Sequence, residues 1–115
     1  MHLTIALLLR DTVAHNDREK LAMAEHVNDL TVSYEEDGRV VVEEIDKAIL
    51  SKGAWATILY KYREYDRRKE EMGKVKFSLR RYQKRNGIYQ QKGKFNISSE
   101  DQATAIVDTL GTWIK

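Results

Sequence analysis

Apolar and polar positions change their spacing several times along this chain, and each change marks an element. The chain opens on an apolar run, Leu3, Ile5, Leu7, Leu8 and Leu9, whose spacing fits a buried helix and a strand equally well. Asn16, Asp17, Arg18 and Glu19 then have the shape of a capping box, with an Asn oxygen for free N–H groups and a Glu that reaches back. Leu21, Ala24, Val27 and Leu30 recur on one helical face and predict a helix over 17–29. Residues 31–45 alternate about Asp37-Gly38, which is a hairpin signal. Asp46 to Lys52 reads as a helical turn or a loop ending near Gly53.

Beyond Gly53 the pattern is that of strands. Residues 54–65 are rich in aromatic and β-branched side chains and predict a strand, and the charged stretch from Asp66 to Gly73 predicts a loop. A second strand runs from Lys74 to about Arg85. Its Val75, Phe77 and Leu79 point one way, and Lys74, Lys76, Ser78, Arg80, Tyr82 and Lys84 the other. Asn86-Gly87 is a two-residue turn, and Ile88–Gln91 and Lys94–Ile97 follow as two short strands with Gly93 between them. Ser98 or Ser99 then caps a helix with Glu100 and Asp101 in its first turn. Ala103, Ile106, Val107, Leu110 and Ile114 form its apolar stripe, flanked by Trp113. The expected fold class is α+β, a four-stranded antiparallel sheet followed by an amphipathic helix (ββββα). It carries a small N-terminal extension of helices and a hairpin. The expected division is an extension over 1–50 and a main domain over 51–115, with the apolar side of strand 74–85 against the final helix.

Composition changes this picture little until charge is divided along the chain. At 115 residues there is room for one domain's core. Cysteine is absent, which excludes a disulfide framework, a thiol nucleophile and a Cys-based zinc site. The apolar run at 3–9 has no preceding Lys or Arg and is too short to span a membrane, so the expected compartment is the cytoplasm. The formal net charge is only +2, but residues 1–50 hold five basic side chains against eleven acidic ones. Residues 51–115 hold fifteen basic against seven acidic. Within 74–94 there are eight cations and no acid. Such asymmetry suggests a surface for a polyanion.

Eight of the ten aromatic residues also lie within 55–95, interleaved with these cations. Cations that follow phosphates, and flat rings for unpaired bases, are what single-stranded nucleic acid requires. The candidate nucleic-acid-binding residues are Lys61, Arg63, Lys74, Lys76, Arg80, Tyr82, Lys84, Tyr89, Lys92 and Lys94. Of the other rings, Tyr60 and Tyr62 share the parity of Ile58, which sends at least one into the core, and Trp55 reads as a core or interface residue.

Several of these residues carry a resemblance. Lys74, Val75, Phe77, Leu79, Arg80 and Tyr82, the Asn86-Gly87 turn, Lys92, Lys94, Phe95 and Ile97, and the Ser-Ser-Glu-Asp-Gln start of the last helix resemble the positive cofactor four family. These are the transcriptional-coactivator-p15-type single-stranded-DNA-binding domains, with prokaryotic and phage relatives. The family pattern is Lys-Val-x-Ile-x-Ile-Arg-x-Tyr, a short turn, Lys-x-Gly-Ile-Ser-Leu and an amphipathic helix. The match covers about residues 53–114. It implies a ββββα protomer and a homodimer built through the helices, here through Ile106, Val107, Leu110 and Trp113, with phosphate contacts from Lys74, Arg80 and Lys92. It also implies a role in transcription, DNA replication or recombination. The family often has Trp after the strand's Tyr where this chain has Gln83, and lacks a counterpart here for its helix Trp, with Ala103 in that region.

Catalysis has less support. His2, His15 and His26 are scattered and form no HExxH motif, and neither GxxxxGK[ST] nor GxGxxG occurs, so no metal or cofactor is expected. Glu35, Glu36, Asp37, Glu43, Glu44 and Asp46 are the best candidates for a magnesium-dependent nuclease, but a hairpin with solvated acidic ends accounts for them more simply. Tied to a basic sheet, the same acids could occupy it in competition with DNA, so deletion of residues 1–50 should tighten binding. The expected function is non-catalytic, largely sequence-independent binding of single-stranded DNA. RNA binding, or a protein–protein module using the last helix, is the alternative.

Overall fold

The computed structural model describes residues 23–115. The apolar run at 3–9, the Asn16–Glu19 capping box and the start of the 17–29 helix lie outside the described residues. Its described end is a short 3-10 turn, Val27–Asp29, rather than α-helix.

Six strands make one antiparallel, curled sheet, a half-barrel followed by a single helix. They are β1 (Tyr34–Glu36), β2 (Arg39–Ser51), β3 (Trp55–Asp66), β4 (Glu71–Met72), β5 (Lys76–Arg85) and β6 (Ile88–Ile97), and the helix is α1 (Glu100–Ile114). The order across the sheet is β1-β2-β3-β5-β6, with β4 paired to the far end of β3. Turns at Asp37-Gly38 (φ 52° and 78°) and Asn86-Gly87 (φ 53° and 79°) hold two consecutive residues in the left-handed region, as a tight hairpin requires.

The expected four-stranded sheet is therefore corrected to six strands, because the hairpin expected in the extension joins it as β1 and β2, and the elements themselves differ at three places. Asp46 to Ser51 continues β2 instead of turning, and two irregularities in its pairing with β3, near Ile45 and Leu50, break the alternation a strand would show in sequence. Gly93 lies inside one continuous β6, opposite Arg81, instead of separating two strands. The charged loop after β3 holds the two-residue β4. The sheet also runs across residues 50 and 51, because β2 is hydrogen-bonded along β3.

The main core lies on one face. Ala56, Ile58, Tyr60 and Tyr62 of β3 are buried there with Ser78 and Tyr82 of β5, Tyr89 of β6 and Val42 of β2. Residues 24–33 cross this inner face as a strap. Ala24 bridges to Tyr89 on β6, Leu30 and Val32 are buried, and Thr31 Oγ1 donates a hydrogen bond to Glu44 Oε1 on β2 (2.6 Å). Lys47 Nζ holds the strap by donating to the carbonyls of Asn28 (2.7 Å) and Leu30 (2.5 Å).

The other face is covered less: Ile97, opposite Phe77, is buried there, but Phe95 is 52 % exposed. Ser99 caps α1 by accepting from the Gln102 N–H (3.1 Å), but the helix packs chiefly against β6. Its stripe does not close on Phe77 and Leu79: Val107 is 66 % exposed, Trp113 75 % and Ile114 78 %. The expected packing of the whole stripe on this side of β5 is thus not seen along the later turns of the helix.

Candidate nucleic-acid interface

Alternation along β5 does separate two sets of side chains, but the set that contains the lysines faces the core. Lys76, Ser78, Arg80 and Tyr82 lie opposite Tyr62, Tyr60, Ile58 and Ala56. Tyr82 is buried, and its hydroxyl shares a 2.8 Å hydrogen bond with that of Tyr60. Tyr89 is buried as well and donates to the Gly53 carbonyl (2.6 Å). Neither ring is open to a base in this arrangement. A tyrosine serves a core when its hydroxyl finds a partner, and both hydroxyls do. Burial pushes the phenols of Tyr60, Tyr62 and Tyr82 above the ordinary tyrosine range; for Tyr60 the bond to Tyr82 pushes the same way.

The cations fall into three groups. Arg63 and Lys76 are engaged by carboxylates, Arg63 by Glu43 at 2.6 Å and Lys76 by Glu64 at 3.2 Å. Lys84 lies 5.3 Å from the centre of the Tyr89 ring. Lys61, Lys74, Lys92 and Lys94 are exposed and make no ion pair among the described residues, although Lys61 faces Asp46 across the β2–β3 register.

Arg80 differs from all of these. Its Nε donates to Ser78 Oγ (2.8 Å) and its Nη1 to Gln91 Oε1 (2.9 Å), while the Ser78 hydroxyl donates onward to Asn96 Oδ1 (2.7 Å). Every partner is neutral, so the guanidinium is oriented without a carboxylate against it. Lys94 sits directly opposite Arg80 in the β5–β6 register. Just beyond, the register shifts so that Arg81 opposes Gly93 and Tyr82 opposes Gln91, which leaves Lys92 as the extra residue of a bulge. A held guanidinium with an exposed ammonium across from it, and a second close by, is a suitable arrangement for phosphate oxygens.

The outer face adds residues absent from the sequence-derived set. Arg81 and Arg85 are exposed there, and the Arg81 guanidinium lies 4.3 Å above the Trp55 ring. Trp55 is 40 % exposed, not core. The parity of Arg81 with Phe77 and Leu79 is visible in sequence, but the β3–β5 register that brings it to Trp55 is not. Among the described residues no group of three or more His, Asp and Glu could hold a metal, and no helix is long and apolar enough to cross a membrane.

These features define a class: a strapped, half-barrel β-sheet whose β5–β6 hairpin is free of acids and cationic on both faces. Compared with protein-family models, with curated proteins and with solved structures, the chain matches none.

Proposed function

We propose that this protein binds single-stranded DNA without catalysis and largely without regard to sequence. The observation that carries the reading is Arg80, a guanidinium fixed by Ser78 and Gln91 with no carboxylate on it, across from Lys94 on an acid-free hairpin. Lys74, Lys92 and Lys94, all exposed, add further charge. Tyr82 and Tyr89 contribute by holding the sheet, so phosphate contacts supply most of the affinity. The motif resemblance to the positive cofactor four family supports the same reading, along with a cytoplasmic setting and a role in transcription, replication or recombination.

The reading includes a homodimer. The stripe Ile106, Val107, Leu110 and Trp113 and the outer-face residues Leu59, Phe77, Leu79 and Phe95 are left without full cover within one chain. A second copy would supply it.

Fluorescence anisotropy of a labelled oligothymidine of about 20 nucleotides, at two salt concentrations and with duplex competitor, tests the reading. Salt-sensitive binding that duplex displaces poorly is the expected result. Arg80→Ala and Lys94→Ala should each weaken it and flatten the log–log salt slope by about 0.7. Equal competition by duplex would reduce the site to a general basic patch. Tighter binding of the matching oligouridine would move the assignment to RNA. The exposed helix stripe favours a second reading, a module for a protein partner, whose binding would depend little on salt.

A further inference from the structure

We propose that Trp55, with Arg81 stacked on it, is the platform that receives an unpaired base of the bound strand, on the outer face of the sheet. The inference rests on the single-strand reading above and supplies the stacking surface that the buried tyrosines do not.

Trp55 opens β3, at the end of the sheet away from α1. A tryptophan kept for the core would be buried, and this one is 40 % exposed. Its surroundings are polar: Gln83 lies directly across from it, and Thr57 follows two residues on along the same face. This end is therefore set apart from the apolar patch of Leu59, Phe77, Leu79 and Phe95, although Ile88, across from Arg85, adds one exposed apolar side chain to it. The Arg81 guanidinium rests 4.3 Å from the ring centre and makes no ion pair among the described residues. Across from Arg81 stands Gly93, where an added Cβ would meet only the Arg81 Cβ, at 3.8 Å. The floor next to the stack is thus bare backbone, open to a flat ligand. Neither β5 nor β6 carries an acidic residue, so nothing repels a phosphate that accompanies the base.

Bases of single strands stack on indole rings and on guanidinium planes alike, and sequence matters little because every base has a π-face. A base enters this stack on the guanidinium or in its place, and both modes require the indole. Arg85, exposed on the same face of β5, is placed for the next phosphate.

Titration of the full-length protein with oligothymidine, read by intrinsic fluorescence and by anisotropy together, tests the platform. The expected result is a quench of tryptophan emission that saturates with the anisotropy change and is lost in Trp55→Phe, in which Trp113 still emits. Trp55→Phe should bind within a few-fold of wild type, because a phenyl ring still stacks. Trp55→Ala should weaken binding about 5- to 100-fold, the equivalent of one stacked base. If wild type binds but its emission does not change, and Trp55→Ala binds equally well, the platform is refuted and the phosphate-binding reading stands. If wild type does not bind, the reading beneath it falls as well. Should Trp55→Ala fail to fold, the quench and the near-wild-type affinity of Trp55→Phe decide the matter.

Discussion

Two hydroxyls at the centre of the inner face, those of Tyr60 and Tyr82, depend on each other. Both side chains are fully buried, and their mutual bond of 2.8 Å is the one that satisfies them. Tyr60→Phe leaves the Tyr82 oxygen buried without that partner and should cost about 1–3 kcal/mol in urea unfolding. Tyr82→Phe should behave alike, and the double variant should cost clearly less than the two together. The pair also sets a pH limit. Burial raises both phenol pKa values above the ordinary value of about 10, so above that pH the unfolded chain loses protons that the folded one keeps. Stability should be intact below about pH 10 and fall as the pH rises beyond it, and the fall should be smaller in the double variant. Urea midpoints at about pH 8 and about pH 11 give the comparison. Arg80 follows a similar logic at the rim, where Ser78 is buried only because it both donates and accepts.

At the scale of elements, what could be read in the sequence depended on how local its cause was. The turns Asp37-Gly38 and Asn86-Gly87 and the Ser99 cap are legible because each is determined by two or three adjacent residues. β2 is not, because the extra residues near Ile45 and Leu50 shift its parity, and only its partner β3 shows that it is one strand. Hydropathy alone misleads on the inner face of β5, since Ser78 and Tyr82 look polar until their partners Asn96 and Tyr60 are known. With β2 inside the sheet, deleting residues 1–50 would remove a strand and could not report on competition by the acids. Helix α1 offers a cleaner experiment. Its Leu110 is 45 % exposed within the chain, so Leu110→Glu should leave the monomer's melting almost unchanged while it dissociates the proposed homodimer. Sedimentation velocity at micromolar concentration would show a shift from two-chain to one-chain mass, and a wild type that sediments as a monomer would remove the dimer from the reading.

At the largest scale, the described residues form a plate of 53 × 40 × 19 Å. Its thickness is that of one sheet and one covering layer, about 10 Å each, and its Cα radius of gyration of 16.2 Å exceeds the roughly 13 Å of a compact domain this size. The strap supplies the single layer, and charge follows the same division. Acids on β1 and β2 neutralise Arg63 and Arg67, and the β5–β6 hairpin at the opposite edge has none of its own. The connectivity has a consequence in time. Successive lanes of the sheet, β1-β2-β3-β5-β6, are neighbours in sequence, so the sheet can assemble by zipping short loops. The strap joins Ala24 to Tyr89 across 65 positions of chain and must close last, at the greatest loop-closure cost. Its contacts would then be absent from the rate-limiting state. Lys47→Met, which removes both of its holds on the strap, should leave the refolding rate nearly unchanged and speed unfolding several-fold in stopped-flow measurements. The strap is thus a latch on the lifetime of the fold, not on the route to it.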